Sequence, residues 1–208
     1  MLKKFSAGIF ALMLLALPSL GNAAAVNLSD PGDGLFNSTD YTLGWEFTAN
    51  TDISVTSLGQ FDFEGDGLSN DADIAIWESN GTLVASTTIA AGTSGTLIDY
   101  FRYVDISPVL LSAGQSYIIA SYIANDQALD LGNGAIFTVD PAITVLNDRF
   151  DFANSLVFPT EINSLGAFDG WFGPNFQFTT QQVSEPGMLA LLGLSLTGFA
   201  ALRRRKSA

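Results

Sequence analysis

The chain has 208 residues, 48% of them apolar, with eight basic side chains against 21 acidic ones and a formal net charge of −13. It has no histidine and no cysteine, which excludes Ser-His-Asp and Cys-His catalysis, the commonest zinc ligand and a disulfide framework. The acidic excess excludes nucleic acid and anionic membrane surfaces as partners, because affinity for phosphates rests on neutralising them with cations.

Met1 to about Ala25 reads as a secretory signal peptide. Lys3 and Lys4 form a charged n-region, Ile9–Leu17 an apolar h-region, and Gly21, Ala23, Ala24 and Ala25 offer a cleavage site between Ala23 and Ala25. Charge partitions the chain in the same way. Six basic residues (Lys3, Lys4, Arg203, Arg204, Arg205 and Lys206) lie in the terminal segments. Between Val26 and Val183 only Arg102 and Arg149 stand against 20 acidic residues, a formal charge of −18. Such a segment stays soluble and attracts cations. At residues 26–180 it is long enough for one domain with its own core.

The pattern over this segment is all-β. Tyr41, Leu43, Trp45 and Phe47 alternate with Thr42, Gly44, Glu46 and Thr48, which predicts a strand with one buried and one wet face. A second strand region covers Ile53–Phe63, with Phe61 and Phe63 on one face. Ile74–Glu78 and Thr82–Ile89 flank Ser79-Asn80-Gly81, and Asn-Gly between alternating strands favours a type I′ hairpin turn. Further strands are expected at Thr96–Ile106, Ser116–Ala124, Gly134–Val139, Ala142–Leu146 and Asn175–Thr179. Ser116–Ala124 is apolar at nearly every position and so belongs in the middle of a sheet. Short strands punctuated by Gly, Pro and Asn predict a single antiparallel β-sandwich or jelly roll.

Several constellations could carry chemistry. In Asp62–Asp73, the residues Asp62, Glu64, Asp66, Asn70 and Asp73 fall at the oxygen-ligand positions of an EF-hand loop, with Gly67 at its turn position. Strand flanks and Asp73 in place of glutamate argue instead for a solvated acidic turn, so a weak calcium site and a plain turn both stand. Trp45 and Trp77 sit in alternating strand patterns and read as core. Trp171 lies in a glycine-rich loop, where an aromatic ring could serve as a carbohydrate platform. Arg102 and Arg149 read as structural ion pairs with a neighbouring Asp, the alternative being a carboxylate clamp. Asp99/Asp105 and Asp148/Asp151 could be drawn as a glycosidase couple, but nothing in their spacing selects them.

The last 26 residues have three parts: Ser184-Glu185-Pro186, a 16-residue apolar or small run from Gly187 to Leu202, and Arg203-Arg204-Arg205-Lys206. The run is shorter than the roughly 20 residues that span a bilayer comfortably, and the basic cluster would stop translocation. This order resembles the PEP-CTERM sorting signal, with Ser184 where the family usually has proline. The resemblance implies an exosortase as processing partner and sorting residues at Ser184, Glu185, Pro186, Arg203, Arg204 and Arg205. It also implies a transient inner-membrane anchor at 187–208, reached by a linker at 181–186, and a final place at the cell surface or in the extracellular matrix.

The pattern LGWEF (Leu43–Phe47), SLGQFDFEGDGL (Ser57–Leu68), IAIWESNGTLVAS (Ile74–Ser86), FRYV (Phe101–Val104), LLSAGQSYIIA (Leu110–Ala120) and GPNFQF (Gly173–Phe178) is similar to a family of bacterial exported β-domains that precede such signals. That family resembles carbohydrate-binding-like sandwiches of unassigned chemistry. The expectation is a non-enzymatic structural or adhesive component of an exopolysaccharide matrix. Its rivals are a module binding the extracellular polysaccharide, with or without calcium, and a hydrolase working through carboxylates alone.

Overall fold

Period-two segments become strands throughout the computed structural model, which describes residues 22–38, 40–124, 126–130, 134–162 and 171–180. The signal-peptide core, Ser184, Glu185, Pro186, the apolar run and Arg203–Arg205 lie outside the described residues. In chain order the strands are β1 (Ala23–Ala24), β2 (Val26–Asp30), β3 (Leu35–Ser38), β4 (Tyr41–Ala49), β5 (Ile53–Phe61), β6 (Ala72–Glu78), β7 (Leu83–Ile89) and β8 (Thr96–Ile98). They continue as β9 (Phe101–Leu111), β10 (Ser116–Ile123), β11 (Asp126–Asp130), β12 (Ile136–Val139), β13 (Ile143–Phe152), β14 (Glu161–Ile162), β15 (Trp171–Phe172) and β16 (Pro174–Thr180).

Two antiparallel sheets form the sandwich. One runs β1-β16-β5-β9-β8 and the other β14-β13-β4-β10-β6-β7; two small ribbons, β15-β11-β3 and β12-β2, flank them. The inward side chains meet in one core. Trp45 and Phe47 of β4 pack on Phe176 of β16, with ring centroids 5.8 and 5.1 Å apart. Leu58, Phe61, Phe101 and Phe178 are among the other side chains buried there. Each such ring or branched side chain contributes roughly 1.5–3 kcal/mol by leaving water. The Trp45 indole also donates to the Pro174 carbonyl at 2.9 Å, which satisfies its one polar atom.

The wet face expected for β4 is covered. Thr42 and Glu46 are buried alongside Trp45 and Phe47, because residues 153–160 cross the outer side of the sheet as a strap. The Thr42 hydroxyl donates to the Ser155 carbonyl and accepts from the Val157 N–H. Beneath the strap Leu156 and Phe158 pack on Ala75, Trp77 and Ala120, forming a second small core. Polar alternation on β4 thus marks a face closed by polar contacts rather than by solvent. Trp45 and Trp77 are both packed, one in each core.

Two hairpins depart from expectation. Gly81 has φ of 89° while Asn80 does not enter the left-handed region. The Gly81 N–H bonds the Glu78 carbonyl and the Glu78 N–H bonds the Thr82 carbonyl. That is a turn followed by a left-handed glycine, not a two-residue I′ turn, since Asn80 instead caps the Thr82 N–H with its side chain. The stretch expected as one strand at 96–106 divides into β8 and β9 around Asp99-Tyr100, with Asp99 at φ 53°. Strand β10 is central as expected, between β4 and β6 and buried on both faces.

Registers give the sandwich a direction. Ala23 pairs with Phe178, so the described chain enters and leaves at the same end of one sheet. The Ile53, Leu111 and Thr180 ends of β5, β9 and β16 share that end. The opposite end carries Tyr41 paired with Phe152, Phe61 paired with Phe101, and the loop from Asp62 to Asp71.

Candidate functional site

The acidic loop sits at that far end and is organised around an arginine. Asp62 is drawn inward, where its Oδ1 accepts the N–H groups of Gly65 and Gly67 at 3.1 and 3.4 Å. Its Oδ2 lies 2.5 Å from Nε of Arg102. The two meet as charges rather than through an aligned hydrogen bond. Arg102 closes the loop by donating from Nη2 to the Gly65 carbonyl at 2.7 Å. Gly65 and Gly67 both hold positive φ, and a Cβ on Gly67 would strike the backbone of Gly92. That close approach lets Leu68 and Gly92 exchange both backbone hydrogen bonds.

The five proposed calcium ligands do not converge. Asp62 serves Arg102, whereas Glu64 and Asp66 are exposed. The Asn70 amide donates to the Ala124 carbonyl at 2.7 Å, and Asp73, on β6, accepts the Thr88 hydroxyl at 2.6 Å. Asp71, outside the proposed ligand set, caps the Ala91 N–H. Among the described residues no group of three or more carboxylates is placed to hold a metal ion. The physical reason is substitution: the loop wraps a guanidinium, so its inward carboxylate is already neutralised.

Arg149 forms the second ion pair. Its Nη2 and Nε reach Oε2 of Glu46 at 2.7 and 3.1 Å, and Asn147 donates to the same oxygen at 3.0 Å. Both cations between Val26 and Val183 are therefore held in structural pairs, Arg149 by a glutamate from the neighbouring strand rather than by a nearby aspartate. The surface around them is left acidic. Asp148 and Asp151, three apart on β13, point to opposite faces, with Asp148 buried beside the core and Asp151 accepting from Thr160. Asp105 accepts from Ser57, while Asp99 occupies the β8–β9 turn.

Trp171 falls on β15, where its backbone pairs with Asp130 of β11; only its backbone is described. A different aromatic group marks this end of the sandwich. Phe152, at the last position of β13, is 70% exposed. Its ring stands 4.8 Å from that of Tyr41 and 6.1 Å from Phe150. Exposed Asp40 adjoins it, since the Asp40 carbonyl accepts the Ala153 N–H at 2.9 Å. Period-two reading missed Phe152 because the strand was expected to end at Leu146. The signal available was DRFDF (Asp148–Phe152), an alternation continuing to an aromatic residue. A separate open groove of about 380 Å³ runs between β7 and β9, lined by Ser86, Thr87, Asp105, Ile106 and Ser107 among others.

Comparison with known proteins gives two family matches. Residues 30–168 match a domain of unknown function, DUF4082, and residues 182–206 match the PEP-CTERM protein-sorting motif. No curated protein matches the chain. Among solved structures, the chain is similar to the VP2 subviral particle of infectious bursal disease virus, at 15% identity and a TM-score of 0.23. It is also similar to T=1 particles derived from the same virus, at 14% identity and the same TM-score. Each match covers 96% of this chain, which spans about half the length of the viral ones, 55% and 53%. Likeness at this score carries no argument.

Proposed function

The chain belongs to the DUF4082 family and is an exported protein whose PEP-CTERM motif marks it for an exosortase; from that premise we propose that it is a non-enzymatic adhesive or structural component of the extracellular polysaccharide matrix. The observation that carries this reading is the direction of the sandwich. The described chain enters at Ala23 and leaves at Thr180 on one end, so the sorting segment tethers that end during export. The exposed Phe152 ring, beside the half-buried Tyr41, marks the other. Pairing of both arginines inside the domain favours a role without chemistry, because no cation is left to bind or polarise a substrate.

A second reading, direct recognition of a glycan, is favoured by the Phe152–Tyr41 pair. Aromatic faces stack on sugar rings, and exposed Asp40 beside them disfavours anionic sugars in favour of neutral or amino sugars. Matrix fractionation of cells producing the full chain tests both. Wild-type protein is expected in the polysaccharide fraction, and Phe152→Ser is expected to cut its retention several-fold while the fold is kept. Equal retention would remove the aromatic end as the adhesive surface. Binding to purified neutral polysaccharide, abolished by Phe152→Ser, would favour the glycan-recognition reading over a purely structural one.

A further inference from the structure

Two bonds between Ala23 and Val26 satisfy the small-residue rule for signal-peptide cleavage, small side chains one and three positions before the cut. Ala23–Ala24 is preceded by Gly21 and Ala23, and Ala25–Val26 by Ala23 and Ala25. We propose that the cut falls at Ala23–Ala24, so that the mature chain begins at Ala24 and Ala25 is a core residue of the domain. Water adds across that peptide bond, leaving a carboxylate on Ala23 and an ammonium group on Ala24. The inference rests on the signal-peptide reading and is independent of the matrix role.

The fold distinguishes the two bonds. Ala25 is fully buried in the main core. Its N–H donates to the Phe176 carbonyl at 2.9 Å and its carbonyl accepts the Asp140 N–H at 3.0 Å. Val26 is 1% exposed, with its N–H directed at Oδ1 of Asn175 and its carbonyl accepting from Nδ2 of the same side chain. A cut after Ala25 would turn that N–H into an ammonium group inside the core, faced by one amide oxygen. A buried, unpaired charge is among the costliest changes a fold can suffer. The same cut would remove β1 and leave β16 with an unpaired edge.

A cut after Ala23 places no charge in the core, and it removes only the first residue of β1 with its pairing to Phe178, leaving Ala24 opposite Gln177. Ala24 is half-buried on a two-residue edge strand that pairs with β16 alone, so its ammonium group reaches water. Accessibility points the same way. Once the domain folds, the Ala25–Val26 bond is sealed beneath β16 and the β12–β13 turn, whereas a two-residue edge strand frays at little cost. Ala23 also lies at the end of the sandwich from which the sorting segment departs, so both membrane-handling segments meet the domain at neighbouring points.

Intact mass and N-terminal peptide mapping of the full chain exported by its own cells test the assignment. A mature N-terminus at Ala24 is expected. A start at Val26 overturns it while leaving the signal-peptide reading intact, and a start at Met1 overturns both. Gly21→Leu provides a second measurement, since it alters the third residue before the Ala23–Ala24 bond and neither small residue before Ala25–Val26. Processing is expected to slow several-fold, with precursor accumulating or the N-terminus moving to Val26; an unchanged rate overturns the proposal.

Discussion

Arg102 and Asp62 meet at 2.5 Å with side chains only 5% and 3% exposed, so one loop conformation is tied to one buried pair of opposite charges. Removing either partner leaves the other charged and desolvated. Asp62→Asn and Arg102→Met should each lower stability by about 3–5 kcal/mol, whereas Asp62→Leu with Arg102→Met should cost much less. Denaturant titration of the three variants checks this, and equal losses in single and double variants would contradict it.

The same pair sets the response to calcium. An ion bound only by the native state must raise the melting temperature. With Asp62 neutralised by Arg102 and the carboxylates dispersed, the melting temperature should not change between chelator and millimolar calcium. A rise of several degrees would show that the loop rearranges to take up the ion.

Tyr103 makes stability sensitive to alkali. Burial, and secondarily the charge of Asp99, push its phenol well above the ordinary value near 10. The folded state therefore keeps a proton that the unfolded state releases. Its contribution is complete below pH 10 and is lost as pH rises beyond that value. Stability measured from pH 9 to 11.5 should fall, with a shallower slope in Tyr103→Phe. Identical slopes would place the alkaline sensitivity elsewhere.

Gly44 allows two strands to approach. A Cβ at this position would overlap the Ile119 carbonyl oxygen and the Ala120 side chain of β10. Gly44→Ala should destabilise by about 1–3 kcal/mol through overpacking, although alanine is otherwise no worse in a strand. Thermal melting of this variant beside Gly114→Ser, whose site has open space, separates crowding from backbone strain: Gly114 sits at φ 77° and should lose stability through strain alone.

Much of the architecture was legible because local patterns and tertiary burial agree. Alternation in Tyr41–Phe47 gave β4, and the apolar run 116–124 gave a central strand, since a strand covered on both faces cannot carry many polar side chains. The strap was not legible. Thr42 and Glu46 look the same in sequence whether they meet water or meet Ser155 and Arg149. The Asp62–Asp73 loop was left open between a calcium site and a plain turn for a related reason: ligand spacing is a local property, and the arginine that pairs with Asp62 lies 40 positions further along the chain.

What the chain determined by itself is its class, its sorting for export and its charge. Strand periodicity, the tail from Ser184 to Lys206 and the 20 acidic residues between Val26 and Val183 are readable without coordinates, because each depends on neighbours in sequence. Only the tertiary structure decided which charges are paired and which end carries the exposed Phe152. Pairing Arg102 with Asp62, Arg149 with Glu46 and Ala23 with Phe178 joins residues 40, 103 and 155 positions apart. Each contact joins neighbouring strands of one sheet, and strand order and register bring together residues far apart in the chain, which no local pattern encodes.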